Sequence, residues 1–430
     1  ALGATGSAAY LDAAHLIAIA REQGADAIHP GYGFLSERAD FARDCAAAGL
    51  VFIGPTPEQL ALLGDKAQAR ALAQRCGVPL LPGSPGAVTL DEAQTFLAAQ
   101  GGAGVMIKAV SGGGGRGMRA VRNADELAAA YERCRGEARA AFGVDGVYVE
   151  RLMEGARHIE IQLLGDGHDV IALGERDCTL QRRFQKLVEV APSPVLTEAL
   201  RQRLIAAALG MARAVRYQNL GTFEFLVDPA SSELPFVFME ANPRLQVEHT
   251  ITEAVFGVDL VQAQIRLAAG QLLRDIGLDP AAPPRPQGFA IQWRINAETL
   301  DAQGKATPGS GTLNRFDVPT GPGIRVDTHG FAGATPSPHY DTLLAKLIVH
   351  ARGGFDAALR RSQRALADFH IDGIATNLPL ARALADRSEM ASQQVHTRWL
   401  ESVLPELLDA TNNIAVSAHP AAAASQNASK

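Results

Sequence analysis

The chain lacks most of the features that mark secreted, membrane-bound or zinc-binding proteins. Its four cysteines, Cys45, Cys76, Cys134 and Cys178, are far apart and form no Cys-x-x-Cys pair. This spacing predicts free thiols in a reducing compartment, with neither a zinc site nor a disulfide framework. No apolar run approaches the length of a membrane span, and no basic-then-apolar leader opens the chain. These absences favour a cytoplasmic protein that does not cross a membrane.

Neither positive nor negative charge is in large excess. The net charge of −6 over 430 residues argues against a general binder of nucleic acids or membrane surfaces. Apolar residues make up 47% of the chain and charged residues 20%, which is the balance of a globular protein. The length suits roughly two to four domains, each with its own core.

The first 63 residues alternate between helix and strand. Helices are predicted over 8–23 and 39–48, and short apolar strands over 27–28 and 50–53. Alternation of this kind builds parallel sheets. Two strands are too few for a stable open sheet, so this α/β segment looks truncated.

A second segment begins with a helical connector over 64–80. It continues to about residue 153 with a strand at 105–108, a glycine-rich loop, a helix over 125–142 and a strand at 146–150. A larger region follows up to residue 403, and its alternating stretches predict antiparallel strands. The proline-rich stretch Pro280 to Pro286 divides this region in two. The residues after 403 end in a small, polar tail that we expect to be disordered.

The clearest sign of chemistry is a pair of acidic residues on a predicted β-hairpin. Paired residues of a symmetric hairpin have constant summed numbers, so a turn centred near residue 232 places Glu224 opposite Glu240. The period of two places four apolar side chains on the other, core-facing side: Phe223, Phe225, Val237 and Met239. Opposed carboxylates weaken a sheet. With Asn242 two residues further on, they predict a site for Mg²⁺ or Mn²⁺ held against phosphate. A solvated hairpin edge with unpaired acids is the alternative interpretation.

Phosphate binding is suggested by the glycine run from Ser111 to Gly117. Glycines that follow an apolar strand let backbone N–H groups approach a phosphate. The spacing matches neither the Walker pattern nor the dinucleotide fingerprint, so alone the loop fits a phosphate cradle or a flexible turn. Lys108 before the loop and Lys66 at a predicted helix start are candidate phosphate ligands, although each alone also fits a solvated surface role. Together with the acids, these are the parts of a phosphoryl-transfer site.

Seven segments, in chain order, resemble the biotin carboxylase component of biotin-dependent carboxylases, which has an ATP-grasp fold. They are HPGYGFLSE at 29–37, KAVSGGGGRGM at 108–118, HIEIQ at 158–162, ERDCTLQRRFQK at 175–186, EANPRLQVEH at 240–249, RINAE at 294–298 and YDTLLAK at 340–346. The resemblance implies an α/β (α+β) fold in four parts. These are a truncated N-terminal parallel α/β domain over 1–63, an ATP-grasp domain over 64–280 with a lid at about 81–153, an antiparallel-rich C-terminal domain over 287–403, and the tail over 404–430.

The resemblance also implies the ligands and the residues that bind them. ATP would be bound by Lys66, Lys108, Gly113, Gly114, Gly115, Met118, Glu150, Arg151, Met153, His158 and Gln181. Mg²⁺ or Mn²⁺ would be held by Glu224, Glu240 and Asn242. Bicarbonate would be bound by Lys186, Arg244, Gln246 and Val247.

The activity implied by the resemblance is carboxylation of biotin on a carrier through carboxyphosphate. Glu248 would be the general base that deprotonates bicarbonate, and a carboxylate near the cationic Arg244 stays ionised. Carboxyphosphate would break down to CO₂ and phosphate, and the phosphate would take the biotin N–H proton. Arg294 would then stabilise the biotin enolate. Without the motif, a salt bridge on an antiparallel strand is the simpler interpretation of Arg294.

Three departures from the family pattern are visible. The family begins with a strand-helix-strand segment of about fifty residues that this chain lacks, as the two-strand α/β segment also indicates. Phe184 stands where many relatives carry a polar residue, commonly His, near the nucleotide, and Val190 stands where many have a second acid. Apolar packing is expected to replace a hydrogen bond at Phe184.

The implied partners follow from what the chain does not carry. No biotinyl-lysine signature of the Ala-Met-Lys-Met type occurs, so the biotin carboxyl carrier is expected on another chain or beyond Lys430. A carboxyltransferase subunit and a homodimer or larger complex are expected, with acetyl-, propionyl- or methylcrotonyl-CoA as the final acceptor. Two alternatives remain open: another ATP-grasp carboxylate ligase, and an inactive structural subunit that keeps the fold.

Overall fold

The computed structural model describes residues 2–3, 6–110, 117–231, 234–301, 304–337 and 339–418. The chain forms two compact units. The first contains residues 1–179, 183–185 and 191–287, and the second contains 180–182, 186–190 and 288–430. The boundary at 287 follows the proline-rich stretch at which the sequence predicts a division.

The first unit contains most of the helices. Its elements up to residue 151 are α1 (Ala13–Glu22), β1 (Ala27–Ile28), α2 (Ala39–Ala47), β2 (Val51–Phe52), α3 (Pro57–Gly64), α4 (Lys66–Arg75), α5 (Leu90–Ala98), β3 (Val105–Ala109), β4 (Met118–Val121), α6 (Ala124–Phe142) and β5 (Val147–Arg151). Then follow β6 (Arg157–Asp166), β7 (Val170–Arg182), β8 (Gln185–Ala191), α7 (Glu198–Ala214), β9 (Gln218–Val227), β10 (Phe236–Asn242), α8 (His249–Phe256) and α9 (Leu260–Ala268). Strands β7 and β8 each contribute residues to both units.

The second unit is antiparallel-rich at its centre and helical at its end. Its remaining elements are β11 (Phe289–Asn296), β12 (Glu298–Leu300), β13 (Ala306–Pro308), β14 (Arg315–Asp317), β15 (Ile324–Thr328), β16 (Leu343–Ala351), α10 (Phe355–Asp368), β17 (His370–Asp372), α11 (Leu378–Ala385), α12 (Ser388–Ser392) and α13 (Trp399–Ala418).

Two small sheets of the first unit contain the strands predicted there, together with strand β4, which was not predicted. Strands β1 and β2 pair in parallel, as the alternation of helix and strand predicts. Strands β4, β3 and β5 form an antiparallel sheet in that order, covered by helices α5 and α6. Buried apolar residues of this sheet and both helices form one separate core, which includes Val105, Ile107, Leu127 and Val149.

Strands β10, β9, β6 and β7 lie side by side in that order and are antiparallel. One face of β6 contributes Ile159, Ile161 and Leu163 to a core that it shares with residues of helices α4 and α7. The other face carries polar side chains that are equally buried: His158, Glu160 and Gln162. The predicted alternation of this strand is therefore present, but its polar side is enclosed.

Four strands of the second unit lie in the order β8, β11, β16, β15. Their apolar faces and helices α10, α11 and α13 bury a large core around Trp293, which is fully buried. Helix α13 corrects the predicted start of the disordered tail at residue 404. Leu404 and Leu407 are 3% exposed and belong to this core, so the helix continues through that position. Residues 419–430 of the predicted tail lie outside the described residues.

The phenylalanine cluster beneath the hairpin gives a stability prediction. Phe225 is fully buried, and its ring meets those of Phe236 and Phe238 edge-on at centroid distances of 5.9 and 6.0 Å. We expect Phe225→Ala to lower the free energy of unfolding by about 3–5 kcal/mol, because a cavity replaces these contacts. Phe331→Ala is the control, since Phe331 is 65% exposed. Equal urea midpoints for the two variants would contradict the prediction.

Candidate active site

The hairpin of β9 and β10 brings the two predicted acids together. The pairing register places Glu224 directly opposite Glu240, as the summed residue numbers predict. Glu224 is buried, whereas the side chain of Glu240 is 27% exposed. The hairpin therefore carries one enclosed carboxylate and one that solvent can reach.

The prediction of which β10 side chains face the core is wrong for the residues that precede Glu240. A β-bulge shifts the register between Phe238 and Glu240, so Phe238 pairs with Phe225. The core cluster beneath the hairpin contains Phe236 and Phe238, in place of the predicted Val237 and Met239. Val237 is also fully buried, but it pairs with Leu226 and lies on the other face. Phe223 and Phe225 lie in that core as predicted. The extra residue reverses the alternation that a constant sum assumes.

Glu224 is the centre of a hydrogen-bonded cluster. Its Oε1 accepts from Asn242 Nδ2 at 2.9 Å and from Gln246 Nε2 at 2.9 Å. Its Oε2 lies 3.0 Å from Nε2 of His158, one of the predicted ATP ligands. Asn242 in turn accepts from Arg244 Nη2 at 3.2 Å. Several neighbours therefore fix the orientation of this carboxylate.

Lys66 approaches the exposed acid of the pair. Asp65 caps helix α4 by accepting from the backbone N–H of Gln68, which places Lys66 in the first turn. Lys66 Nζ lies 3.5 Å from Glu240 Oε2. A candidate phosphate lysine and a candidate metal ligand are thus neighbours.

Lys108 lies in a second, buried cluster on the small sheet. It forms an ion pair with Glu150, and Arg70 on α4 lies 3.6 Å from the same carboxylate. Strand pairing sets Lys108 opposite Met118 on one side and Tyr148 on the other. Burial raises the pKa of Tyr148. Sequence reasoning missed Arg70, which no motif marks.

Two other predicted nucleotide ligands lie at the end of β5 or just after it, and three more belong to the glycine-rich loop. Arg151 ends β5 and is exposed, and Met153 follows it and is half-buried. Gly113, Gly114 and Gly115 lie outside the described residues.

Arg244 joins the hairpin cluster to the N-terminal motif HPGYGFLSE. Its guanidinium forms an ion pair with Glu37, the last residue of that motif. Burial opposes the charge, but Glu37 and Glu248 raise the pKa of Arg244 above its usual value. Arg244 therefore remains a cation next to the acid cluster, as a bicarbonate ligand must.

Glu248 stands at the N-cap of helix α8 and is 2% exposed. Carboxylate oxygens of Glu248 and Glu160 and the sulfur of Cys178 lie within 4.8 Å of one another. Glu160 also belongs to a second such group, with His158 and Glu224. Gln246 is buried, and Val247 between it and Glu248 is half-buried.

Two residues of this region were missed by the sequence reasoning, Glu160 and Arg176. Both are fully buried and form an ion pair. Both lie in quoted motifs, HIEIQ and ERDC, so the motifs themselves were the available signal. What they did not reveal is that the two segments are adjacent strands.

The second unit carries its own polar face, on which Arg294 lies. Arg294 on β11 pairs with the fully buried Glu189, which also accepts from Gln292 Nε2 at 2.9 Å. The neighbouring position on β16 is Lys346, whose Nζ lies 3.2 Å from Asp327. Burial lowers the pKa of Lys346 even though Asp327 acts to raise it. The salt bridge considered for Arg294 is therefore present, beside a second cation.

Gln181 and Lys186 also belong to the second unit, on β7 and β8. Gln181 is buried and Lys186 is half-buried. Arg183 and Phe184 form the turn between these strands with positive φ angles of 47° and 67°. Non-glycine residues rarely adopt this conformation, so the turn holds Phe184 in a strained position.

The hairpin residues fit a magnesium ion by their chemistry. Glu224, Glu240 and Asn242 offer only oxygen ligands, and Asn242 Oδ1 retains a lone pair beyond its bond from Arg244. Glu224 and Glu240 already face each other across the strand pair. These three side chains include neither a thiolate nor an imidazole, although the imidazole of His158 lies next to Glu224. Among the described residues, no helix combines the length and apolarity that a membrane crossing requires.

Three family models match consecutive parts of the chain. They are the biotin carboxylase N-terminal domain over residues 1–60, the carbamoyl-phosphate synthase L chain ATP-binding domain over 65–276, and the biotin carboxylase C-terminal domain over 292–402. Among curated relatives, pyruvate carboxylase 1 of Caenorhabditis elegans is 46% identical over 402 residues, and the match covers 93% of this chain and 34% of the relative. Pyruvate carboxylase of Bacillus subtilis is 46% identical over 406 residues, with 93% and 35% covered. The chain thus spans about a third of the length of these relatives.

Two solved structures of single biotin carboxylase domains match over most of their own length. The biotin carboxylase domain of a single-chain bacterial carboxylase is 50% identical with a TM-score of 0.84, and the match covers 96% of this chain and 88% of that chain. The biotin carboxylase domain of Hydrogenobacter thermophilus 2-oxoglutarate carboxylase, in complex with MgADP, ADP and bicarbonate, is 42% identical with a TM-score of 0.86, covering 93% and 86%. These matches confirm the predicted ATP-grasp fold class. By sequence identity, matched length and fold together, the chain belongs to the biotin carboxylases, the ATP-dependent ligase component of biotin-dependent carboxylases.

Proposed function

We propose that this protein carboxylates biotin on a carrier with ATP and bicarbonate, through carboxyphosphate. The observation that carries the proposal is the cluster around Glu224. An opposed carboxylate, an amide ligand, a lysine and an arginine meet there, within one unit that also holds Glu248. Phosphoryl transfer to bicarbonate requires groups that neutralise the phosphate charge and a base that accepts the bicarbonate proton, and this unit offers both.

The metal assignments extend this cluster, and the nucleotide assignments are those that the resemblance to biotin carboxylases implies. Lys66 and Lys108 bind ATP phosphates, with Met118, Arg151, Met153, His158 and Gln181 as further nucleotide contacts. Glu224, Glu240 and Asn242 hold Mg²⁺ or Mn²⁺, which neutralises phosphate charge when bound. Glu150 forms the adenine hinge by its backbone, because its side chain is occupied by Lys108 and Arg70.

The bicarbonate assignments use the segment after the hairpin. Arg244 supplies a fixed cation, with Gln246, Val247 and Lys186 as further contacts. Glu248 accepts the bicarbonate proton, so that a bicarbonate oxygen attacks the γ-phosphorus and ADP leaves.

The second half of the reaction is assigned to Arg294. Carboxyphosphate releases CO₂ and phosphate, and the phosphate removes the biotin N–H proton. The Arg294 guanidinium is held by Glu189 and remains charged, which suits it to stabilise an enolate oxygen.

The final acceptor and the partners form the outer part of the proposal. Relatives include pyruvate carboxylases, a 2-oxoglutarate carboxylase and a long-chain acyl-CoA carboxylase. Biotin carboxylation is common to all three, so an acyl-CoA acceptor stays a prediction for an assay with the carboxyltransferase. We also propose a biotin carrier and a carboxyltransferase as partners, a homodimer and a cytoplasmic location. The proposed domain limits are 1–63, 64–280 and 287–403.

The direct test is ADP formation by the purified protein with Mg²⁺ and ATP. We expect a rate that depends on bicarbonate and rises when free biotin or a biotinylated carrier is added. Ammonia and other carboxylate acceptors serve as controls, because another ATP-grasp ligase would release ADP with one of them in place of biotin. Nucleotide binding without ADP release under any of these conditions would instead support the inactive structural subunit.

A further inference from the structure

A buried arginine outside the proposed catalytic set has every hydrogen-bond donor in use. Arg176 on β7 is 0% exposed, and a guanidinium has five N–H donors. Its Nε donates to Glu160 Oε1. The other four bonds go to Gln162 at 2.7 Å, Thr252 at 2.9 Å, Thr222 at 3.1 Å and Gln246 at 2.8 Å. Burying a charge is costly unless it is paired and fully hydrogen-bonded, and this one is both.

Arg176 ends a row of charged residues that crosses four strands. Strand register sets it opposite Glu160 on β6, Glu160 opposite Glu224 on β9, and Glu224 opposite Glu240 on β10. Three carboxylates in directly opposed positions repel one another. Arg176 pairs with the acid at one end of the row, and Lys66 pairs with the acid at the other end.

Arg176 also determines the orientation of the Gln246 amide. The carbonyl oxygen of that amide accepts from Arg176 Nη2, and its nitrogen donates to Glu224 Oε1 at 2.9 Å. A flipped amide would place its N–H₂ against the guanidinium and its oxygen against the carboxylate, with repulsion on both sides. The arginine therefore directs an N–H group at the proposed metal ligand.

We propose that Arg176 is a positioning residue that prepares Glu224 for the metal–nucleotide complex, acting through Gln246 and Glu160. This inference rests on the proposed function only in taking Glu224 as a metal ligand. Outer partners of metal ligands commonly fix ligand geometry and tune affinity. Because Gln246 is also a proposed bicarbonate contact, the same arginine links the metal and bicarbonate sides of the site.

The test is calorimetric binding of ADP with and without Mg²⁺, which needs no turnover. Arg176→Lys keeps a cation beside Glu160 but cannot supply the fork that reaches Gln246 and Thr222. We expect Mg²⁺-dependent ADP affinity to fall about 10–100-fold, with ADP affinity in the absence of Mg²⁺ unchanged. Arg157→Lys is the matched control. Arg157 is also buried and pairs with Asp177 through Nε and Nη2, and strand register sets it opposite Val227, not opposite an acid, so its variant should keep the Mg²⁺ effect.

Gln246→Met provides a second, independent variant. Methionine has a similar volume but makes neither of the two hydrogen bonds of the Gln246 side-chain amide. We expect this variant to show the same loss of Mg²⁺-dependent ADP affinity. The double variant should lose no more than the larger single loss, because both changes break one path. Additive losses, an unchanged Mg²⁺ effect in Gln246→Met, or equal losses with and without Mg²⁺ in Arg176→Lys would each overturn the proposal. If Mg²⁺ strengthens ADP binding as expected but no biotin-dependent turnover occurs, the proposed function fails while this inference stands.

Discussion

Glu248→Gln is expected to lower bicarbonate-dependent ADP formation by about 10²–10⁴-fold, the range typical of losing a general base. The amide keeps the volume and hydrogen-bonding reach of the carboxylate but cannot take a proton from bicarbonate. Glu248 is 2% exposed at the N-cap of α8, so bulk water does not readily replace it. The rate is measured at saturating bicarbonate and biotin.

The control for this variant is a second buried acid. Glu175→Gln changes a carboxylate that is equally enclosed but bonds to Arg201 and to the backbone of Ser193. We expect it to retain the rate. Calorimetry should also show that Glu248→Gln still binds MgADP, which separates loss of the base from loss of the fold. A Glu248→Gln rate equal to that of the original protein would remove the general-base assignment.

Arg294→Gln is expected to lower biotin-dependent turnover by about 10²–10³-fold, the usual effect of losing one group that stabilises a developing oxyanion. Bicarbonate-dependent ATP cleavage in the absence of biotin should change far less, because that step precedes the enolate. The ratio of the two rates is therefore the informative measurement. Arg315→Gln is the control, since Arg315 is half-exposed and pairs with Asp317 two residues along the same strand.

The Arg294 variant needs a companion because Glu189 is fully buried. Removing one partner of a buried ion pair costs about 3–5 kcal/mol of stability, since the other charge is left uncompensated. Arg294→Gln combined with Glu189→Gln removes the leftover charge and should restore the melting temperature while turnover stays low. Recovery of turnover in the double variant would show that Arg294 contributes only to stability.

The sequence predicts the pairing of the two acids in the hairpin, but not which side chains of β10 face the core. The opposition of Glu224 and Glu240 depends only on a summed residue number, and it is confirmed. The face predicted for Val237 and Met239 was wrong, although Val237 is fully buried, because a bulge before Glu240 is set by packing, which a period of two does not encode.

Glu160 and Arg176 show a different limit. Both lie in motifs that are visible in the chain, yet their interaction depends on β6 and β7 being neighbours in a particular register. The alternation in β6 was read correctly as a strand, but alternation normally signals one face in solvent. Here both faces are buried, and that is a tertiary property. The Arg244–Glu37 pair joins residues 207 positions apart and is equally invisible to local patterns.

The bulge in β10 separates two demands on a single short strand. Before the bulge, Phe236 and Phe238 pack in the hydrophobic core. After the bulge, the register places Glu240 opposite Glu224. A one-residue change in the connection between Val227 and Phe236 can thus be taken up before the carboxylates are reached. We therefore expect the connection between the two strands to tolerate length variation, or an inserted label, without a change in the pairing of Glu224 with Glu240.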